Sequence, residues 1–374
     1  MIVGIPKEVK DHEYRIAATP EGVRELTHAD HTVLIEEGAA AGSSLPEERY
    51  KRAGAQLVSS ADDVWREAEM VLKVKEPLPS EFERMREGQI LFTYLHLAAN
   101  RELTSQLIDR KVAAVAYETV QLADGRLPLL APMSEIAGRM APQVAARFLE
   151  KEAGGRGVLM GGVSGVRPAK VLVLGAGMAG ANAAWIAAGM EAEVIVVDKN
   201  LDKLRFIDQI HKGRIVTLMS DRLTLEQRVR EADAVIGSVL LPGALAPVIV
   251  SEEMVASMRP GSVIVDVAID QGGCVATSRM TTHSDPTFTV HDVVHYCVGN
   301  MPGAVPNTST YALTNVTLPY ALAIADRGLE AVAAEDRALA AGVNVYDGIV
   351  TNEGVAEAHG LGSRSLHELI AGTR

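Results

Sequence analysis

The sequence predicts an α/β protein of two doubly wound, mainly parallel sheets with a cleft between them. Three observations lead there. Short runs rich in Val, Ile and Leu alternate with polar stretches of helical period along the first 120 or so residues. The alternation stops in a turn-rich stretch, ADGRLPLLAP, and resumes at Lys170. A chain of 374 residues with 48% hydrophobic content also exceeds what one ordinary core takes up, so two domains are expected.

Taken in order, MIVGIP, HTVLIEEG, AEMVLKVKEP, ILFTYLH and VAAVAYETV read as strands. TPEGVRELTHA, PEERYKRAGA, SEFERMREGQ and NRELTSQLIDRK read as the helices between them. Such βα repetition builds parallel sheets covered by helices. A boundary follows near Leu130. MSEIAGRMAPQVAARFLEKEAGG then reads as a helix bridging the domains, with Ser134 as a candidate N-cap and Gly154-Gly155 ending it. GVLMGGVSGVRPAK reads as a small hairpin, and its Gly162, Ser164 and Gly165 lack the G-x-S-x-G spacing of a hydrolase nucleophile turn. The second series of strands is KVLVLG, AEVIVVD, RIVTLMSD, DAVIGSV, SVIVDVA and VVHYCV. After Pro306 the chain reads as mostly helical; residues 307–374 are too few for a third domain and are expected to pack back onto one of the others.

Charge and cysteine content narrow the partners. Lys plus Arg number 36 against 48 Asp plus Glu, a formal net charge of −12 that repels nucleic acid and anionic lipid and favours a small-molecule partner. The two cysteines, Cys274 and Cys297, are too few for a disulfide framework, which fits a reducing compartment. The opening MIVGIPKEVKDHEYR turns charged before any stretch long enough for a secretory signal, so a cytoplasmic location is expected. The most apolar region, residues 170–199, is interrupted by Gly175, Gly177, Gly180, Asn182, Gly189, Glu191 and Glu193, so no membrane span is expected. Cys274, His283, His291, His295 and Cys297 crowd one stretch, but no C-x-x-C is present. Alternation in VVHYCV turns His295 and Cys297 to one face of a buried strand, so no metal centre is expected.

KVLVLGAGMAGANAAWIAAGMEAEVIVVDK carries the most specific chemistry. Gly175, Gly177 and Gly180, with Met178 and Ala179 between the last two, match G-x-G-x-x-G directly after a strand and directly before a small-residue helix. Gly175 permits the tight turn, Gly177 lets backbone amides approach a pyrophosphate, and Gly180 lets helix and strand pack closely. The helix N-terminus offers its unpaired amides to the phosphates. Asp198 falls 18 residues after Gly180 at the end of a second strand, placed to accept the adenosine ribose hydroxyls and to repel a 2′-phosphate. The domain is therefore Rossmann-like and NAD is favoured over NADP, although Lys199, Lys203 and Arg205 supply basic groups of the kind that hold a 2′-phosphate.

In open parallel sheets ligands sit beyond the carboxyl ends of the strands. Four polar residues occupy such positions: Arg15, Lys75, His96 and Asp270. Each alone has an ordinary reading, as a loop charge, a surface pair with Glu76, a core histidine or a turn cap. As a set, two cations, one imidazole and one carboxylate suit an anionic substrate facing a nicotinamide, with the imidazole exchanging protons near neutral pH.

The blocks GIPKE, EYRIAATPEGV, VLKVKEP, TYLHLA, GAGMAG, DQGGC, TTHSDPTF and VVHYCVGNMPGAVPNTSTYAL resemble the bacterial alanine dehydrogenase family over nearly the whole chain. EYRIAATP is shared with the nicotinamide-binding part of proton-translocating transhydrogenase; DQGGC and HYCVGNMPGAVP are the more specific pieces. The resemblance implies that residues 1–130 plus 307–374 form a substrate domain, that residues 131–306 form an NAD domain, and that the assembly is a homohexamer. It implies reversible oxidative deamination of L-alanine to pyruvate and ammonia. Arg15 and Lys75 would hold the substrate carboxylate and carbonyl, His96 would be the general acid/base, and Asp270 would assist water and ammonia. Ser134, Asp198, Lys203, Ser220, Val239, Leu240, Arg279, Val298, Asn300 and Met301 would line the NAD site with the glycine turn. Two positions depart from the family pattern, Gly299 and Asn307 standing where Ala and Arg are expected. Some members place a magnesium site on the helix after NVTLPY; here that stretch reads ALAIADRG, so no metal is expected. The rival readings are a transhydrogenase subunit passing hydride to a second protein, against which the presence of both Lys75 and His96 argues, and a non-enzymatic NAD(H)-sensing module.

Overall fold

In the computed structural model, which describes residues 1–239 and 246–372, the N-terminal region has six parallel strands, the five read in the sequence and a sixth, Gln56–Val58, absent from that reading. They are β1 (Ile2–Ile5), β2 (Thr32–Glu36), β3 (Gln56–Val58), β4 (Met70–Leu72), β5 (Ile90–Thr93) and β6 (Ala113–Ala116). Their order is β3-β2-β1-β4-β5-β6. Helices cover them, three begun by a side chain that satisfies an orphan amide. Thr19 accepts from Gly22 at the head of Pro20–His28, Ser60 from Asp63 at the head of Ala61–Glu67, and Asn100 from Leu103 at the head of Arg101–Asp109. SEFERMREGQ, expected as a helix, is only a 3-10 turn, Pro79–Arg84. Its Glu81 turns inward to the buried Lys73, and the run stops at Met85, whose backbone is extended (φ −68°, ψ 138°).

The next helix, Ala131–Phe148, starts three residues before Ser134, so that serine lies within its first turn and is not the cap. The second sheet follows: β7 (Lys170–Leu174), β8 (Glu193–Asp198), β9 (Ile215–Met219), β10 (Ala234–Gly237), β11 (Val263–Asp266), β12 (Thr287–Val290) and β13 (Val293–Tyr296). All pairs are parallel except β12 with β13, in the order β12-β13-β11-β10-β7-β8-β9. β12 is absent from the sequence reading. It returns through His291 and Asp292, both at positive φ (51° and 60°), a turn made without the Gly or Asn-Gly that usually announces it. Both faces of this sheet are covered, which explains its unbroken apolar runs. Val171 and Val173 of β7 pack with Ala183, Ala184 and Ala187 of the helix Met178–Gly189, while Leu172 and Leu174 pack with Leu225 and Val229 on the other side.

After the helix Pro306–Arg327 the tail is not helical throughout. It adds β14 (Val343–Tyr346) and β15 (Ile349–Val350), antiparallel, to β6 of the first sheet. The turn between them is Asp347-Gly348, both at positive φ, a hairpin signal present in the sequence. The chain thus divides into one unit of Met1–Met133 with Gly303–Arg374 and another of Ser134–Pro302. In each unit the first strand stands mid-sheet and the direction of strand addition reverses beside it, between β1 and β4 in one and between β7 and β10 in the other. Such switch points are where open sheets bind ligands. Among the described residues no helix is long and apolar enough to cross a membrane.

Candidate functional site

The segments leaving β1 and β4 carry the buried charges of the first unit. Arg15 is 2% exposed. Its Nε donates to Glu13 Oε1 at 2.7 Å and its Nη2 to Glu13 Oε2 at 2.5 Å, while Nη1 lies 3.1 Å from Met133 Sδ. Burial alone would lower the Arg15 pKa; the charge and hydrogen bonds of Glu13 outweigh it and hold the guanidinium above its ordinary value. Of the two lysines in KVK, Lys73 is fully buried between Glu8 Oε2 at 3.1 Å and Glu81 Oε1 at 2.9 Å. Lys75, 7% exposed, lies with Nζ 6.0 Å from the centroid of the Tyr94 ring. The neighbouring Glu76 accepts from Lys10 at 2.5 Å. Burial works to raise its pKa, but Lys75, Lys10 and His96 prevail and hold it below the ordinary carboxylate range.

His96 follows β5 in a left-handed conformation, φ 50° and ψ 39°, uncommon for a residue with a side chain. Glu118 fixes that turn. It accepts the His96 N–H at 2.6 Å and the Leu95 N–H at 3.2 Å, and its Oε1 lies 4.0 Å from His96 Nδ1. The imidazole is parallel to the Tyr94 ring, centroids 6.0 Å apart. Tyr94 in turn donates its hydroxyl to Leu129 O at 2.6 Å, and burial raises its pKa. Tyr94 therefore stands as a common neighbour of Lys75 and His96, and its titration also senses the charge of Arg15. Sequence reasoning missed Tyr94, Glu13 and Glu118. Glu118 follows β6, so the strand-end rule that picks out His96 would have found it.

In the second unit β7 runs into the glycine turn. Gly175 has φ +98°, and a Cβ on it would lie 3.0 Å from Ser238 O, across the switch point. A Cβ on Gly180 would lie 1.9 Å from Gly175 O. One on Gly177, at the N-cap of Met178–Gly189, would meet nothing within 4 Å. Two glycines are thus demanded by the chain's own packing. The third leaves space beside the free amides of a helix start, a cradle that fits a dinucleotide pyrophosphate. Met178 and Ala179 form the first turn of that helix. Asp198 accepts the Ala176 N–H at 2.6 Å and the Asn200 N–H at 2.7 Å, fixing its carboxylate between the glycine turn and the helix Leu201–His211, on which Lys203 is exposed. The Ser220 N–H donates to Asp198 O at 3.0 Å. Ser134 is half-buried on its helix, Val239 follows β10, and Leu240 lies outside the described residues.

Asp270 is exposed on the 3-10 turn Val267–Gln271 that leaves β11, and the Asn300 N–H faces its two oxygens at 3.3 and 3.4 Å. Val298 and Met301 bury their side chains in the core, so what they present outward is main chain. The Arg279 guanidinium lies over the Phe288 ring at 4.3 Å. His295 is buried, bonded through Nε2 to Thr277 Oγ1 at 2.7 Å and through Nδ1 to Val293 O at 2.9 Å, and burial lowers its pKa. Among the described residues no three His, Cys, Asp or Glu side chains gather as a metal site.

A glycine cradle at one switch point and a cluster of arginine, lysine and histidine at another place the chain among oxidoreductases that use a nicotinamide dinucleotide. Residues 4–137 match the family described as alanine dehydrogenase/PNT, N-terminal domain, and residues 141–353 its C-terminal domain. The alanine dehydrogenase of Mycolicibacterium smegmatis is 57% identical over 357 residues, 96% of each chain. A solved L-alanine dehydrogenase superposes with a TM-score of 0.92 at 51% identity, covering 96% of this chain and 99% of the other. A transhydrogenase from Sinorhizobium meliloti superposes with a TM-score of 0.79 at 24% identity over 94% and 99% of the two chains, a likeness of fold alone. The chain belongs to the alanine dehydrogenase/PNT family and is an amino-acid dehydrogenase.

Proposed function

We propose that the protein catalyses the NAD-dependent, reversible oxidative deamination of L-alanine to pyruvate and ammonia. The observation that carries this reading is the grouping of Lys75 and His96 at the Tyr94 ring, with Arg15 held by Glu13, in a unit whose partner unit holds the glycine cradle and Asp198. NAD, when bound, takes up the hydride that leaves Cα of alanine. Residues 1–130 with 307–374 serve as the substrate domain and 131–306 as the NAD domain.

Arg15 and Lys75 bind the carboxylate and the carbonyl oxygen of the substrate. Glu13 fixes the plane of the guanidinium, and the Lys75 ammonium stabilises the negative charge that grows on the carbonyl oxygen during reductive amination. His96 takes a proton from the water that attacks the imine and returns one to the departing ammonia. Glu118 holds the His96 main chain so that the ring is presented in one orientation. Asp270 orients water and ammonia. Asp198 accepts the adenosine ribose hydroxyls and disfavours NADP. The glycine turn contacts the pyrophosphate, while Ser134, Lys203, Ser220, Val239, Leu240 and Arg279 line the rest of the dinucleotide with the main chain of Val298, Asn300 and Met301. A cytoplasmic homohexamer without a resident metal completes the reading. The test is the near-ultraviolet absorbance of NADH in a mixture of purified protein, NAD and L-alanine. A rise that reverses on adding pyruvate and ammonium is expected; no rise, with NADH binding intact, would point to hydride transfer to a second protein.

A further inference from the structure

Asp270 sits on a loop whose two ends are fastened to one buried side chain. Asp266 closes β11 and is fully buried. Its Oδ1 accepts the Ala268 N–H at 3.1 Å and faces Cys274 Sγ at 3.6 Å. Its Oδ2 accepts the Cys274 N–H at 2.9 Å and the Ser278 hydroxyl at 2.7 Å. Ala268 is the second residue of the loop and Cys274 the first after it, so residues 267–273 leave and return on a single carboxylate. The space around that carboxylate is closed. A Cβ on Gly237 would lie 3.0 Å from Oδ1, and one on Gly273 2.8 Å from Oδ2. At the tip of the loop Asp270 meets the Asn300 N–H, and a Cβ on Gly299 would lie 3.0 Å from Asp270 Oδ1. The glycine that departs from the family pattern therefore gives Asp270 room, while its distance from β11 is set by the loop.

We propose that Asp266 is a positioning residue for the alanine reaction, its buried carboxylate tying both ends of the 267–273 loop so that Asp270 is held where it serves water and ammonia. The inference rests on the role given to Asp270 above. A buried carboxylate with four donors is rigid in a way a single hydrogen bond is not, because each donor that leaves strips a buried acceptor of part of its compensation while the others still hold it. Asp266→Asn replaces one oxygen by an amide N–H. Either the Ala268 N–H or the Cys274 N–H then faces a donor, and one end of the loop is released.

The experiment compares Asp266→Asn, Ser278→Ala and Asp270→Asn in steady-state kinetics, with ADP-ribose binding followed by calorimetry as a probe of the glycine cradle and Asp198. Asp266→Asn should lower kcat for reductive amination by about 10- to 100-fold, the cost of misplacing a reacting group by about 1 Å. The KM for pyruvate and the affinity for ADP-ribose should stay within about twofold. Ser278→Ala, which removes one donor and leaves both loop ends tied, should lower kcat only a few-fold. Wild-type kcat in Asp266→Asn overturns the proposal when Asp270→Asn is inactive, and the role of Asp270 then stands. Wild-type kcat in Asp270→Asn overturns the role of Asp270 itself. If Asp266→Asn does not fold, Ser278→Ala decides: a lowered kcat with unchanged ADP-ribose binding supports the tie, and an unchanged kcat, or a parallel loss of ADP-ribose binding, overturns it.

Discussion

At the switch point of the second unit the chain offers main chain. Gly175, Gly177 and Gly180 bring the start of a helix up to open space, and Asp198 is the charged group that pins the turn. At the switch point of the first unit, with its first strands added in the same order, the chain offers side chains instead: Glu8, Glu13, Arg15, Lys73 and Lys75, none more than 8% exposed. On the proposed assignment, the difference follows from what each ligand would need. A pyrophosphate is read by amides that any residue supplies once glycine lets the backbone approach. A small carboxylate is read by cations, and a cation buried without a counter-charge costs several kcal/mol, so Arg15 comes with Glu13 and Lys73 with Glu8 and Glu81.

Substitutions at the two switch points can break or sharpen this contrast. The largest effect is expected from Gly180→Ala, whose methyl would lie 1.9 Å from Gly175 O and must force the turn apart. NADH affinity should fall by about two orders of magnitude or more, with a lowered melting temperature, as read by fluorescence titration and calorimetry. Gly177→Ala meets no atom of the chain, so it should keep the melting temperature and still weaken NADH; equal losses of stability in both variants would show that the cradle is only packing.

Lys73→Ala leaves two buried carboxylates without their ammonium and should cost about 3–5 kcal/mol in denaturant unfolding. Lys75→Ala should cost less stability and far more turnover, and a reversal of that ranking would assign the wrong lysine to the substrate. Glu13→Gln keeps the shape but removes the charge beside Arg15, and the KM for pyruvate should rise by about tenfold, with NADH binding unmoved. Asp198→Ala should weaken NAD and narrow its advantage over NADP by about tenfold, measured as the ratio of kcat/KM values.

The smallest effect is a slope in pH. Burial lowers the His295 pKa from its ordinary 6.5, so below that value the unfolded chain binds a proton that the folded chain refuses. Stability should therefore decline as pH falls through about 6.5, and in His295→Gln that part of the slope should vanish.

The same contrast explains what was legible in the sequence. Glycines at fixed spacing after a strand mark a main-chain turn, because the conformation and the close approach admit little else: Gly175 takes φ +98°, Gly180 packs against Gly175 O, and Gly177 stands at open space. A side-chain site shows only its strand-end members. Arg15, Lys75 and His96 stand out as cations and an imidazole after strands, and Glu118, which follows β6, is open to the same rule; Glu13 and Tyr94 show their parts only once Arg15 pairs with the one and the His96 ring lies parallel to the other. Lys73 and Lys75 look alike in KVK, and only Glu8, 65 residues earlier, and Glu81 distinguish them. Among the strands, Asp347-Gly348 is the one signal of the tail hairpin, in a stretch that is otherwise rich in helix formers. The His291-Asp292 turn hid β12 because positive φ there is carried by residues that rarely adopt it.

The most direct test of the division of labour is a paired measurement on Lys75→Ala: steady-state kinetics with pyruvate and ammonium, and fluorescence titration of NADH on the same preparation. A lowered kcat and a raised KM for pyruvate are expected, with NADH affinity within about twofold of wild type, because the ammonium is assigned to the carbonyl and not to the dinucleotide. Wild-type kinetics would make Lys75 an ordinary buried charge, and a collapse of NADH binding would move it into the dinucleotide site; either result contradicts the assignment of substrate to the first switch point.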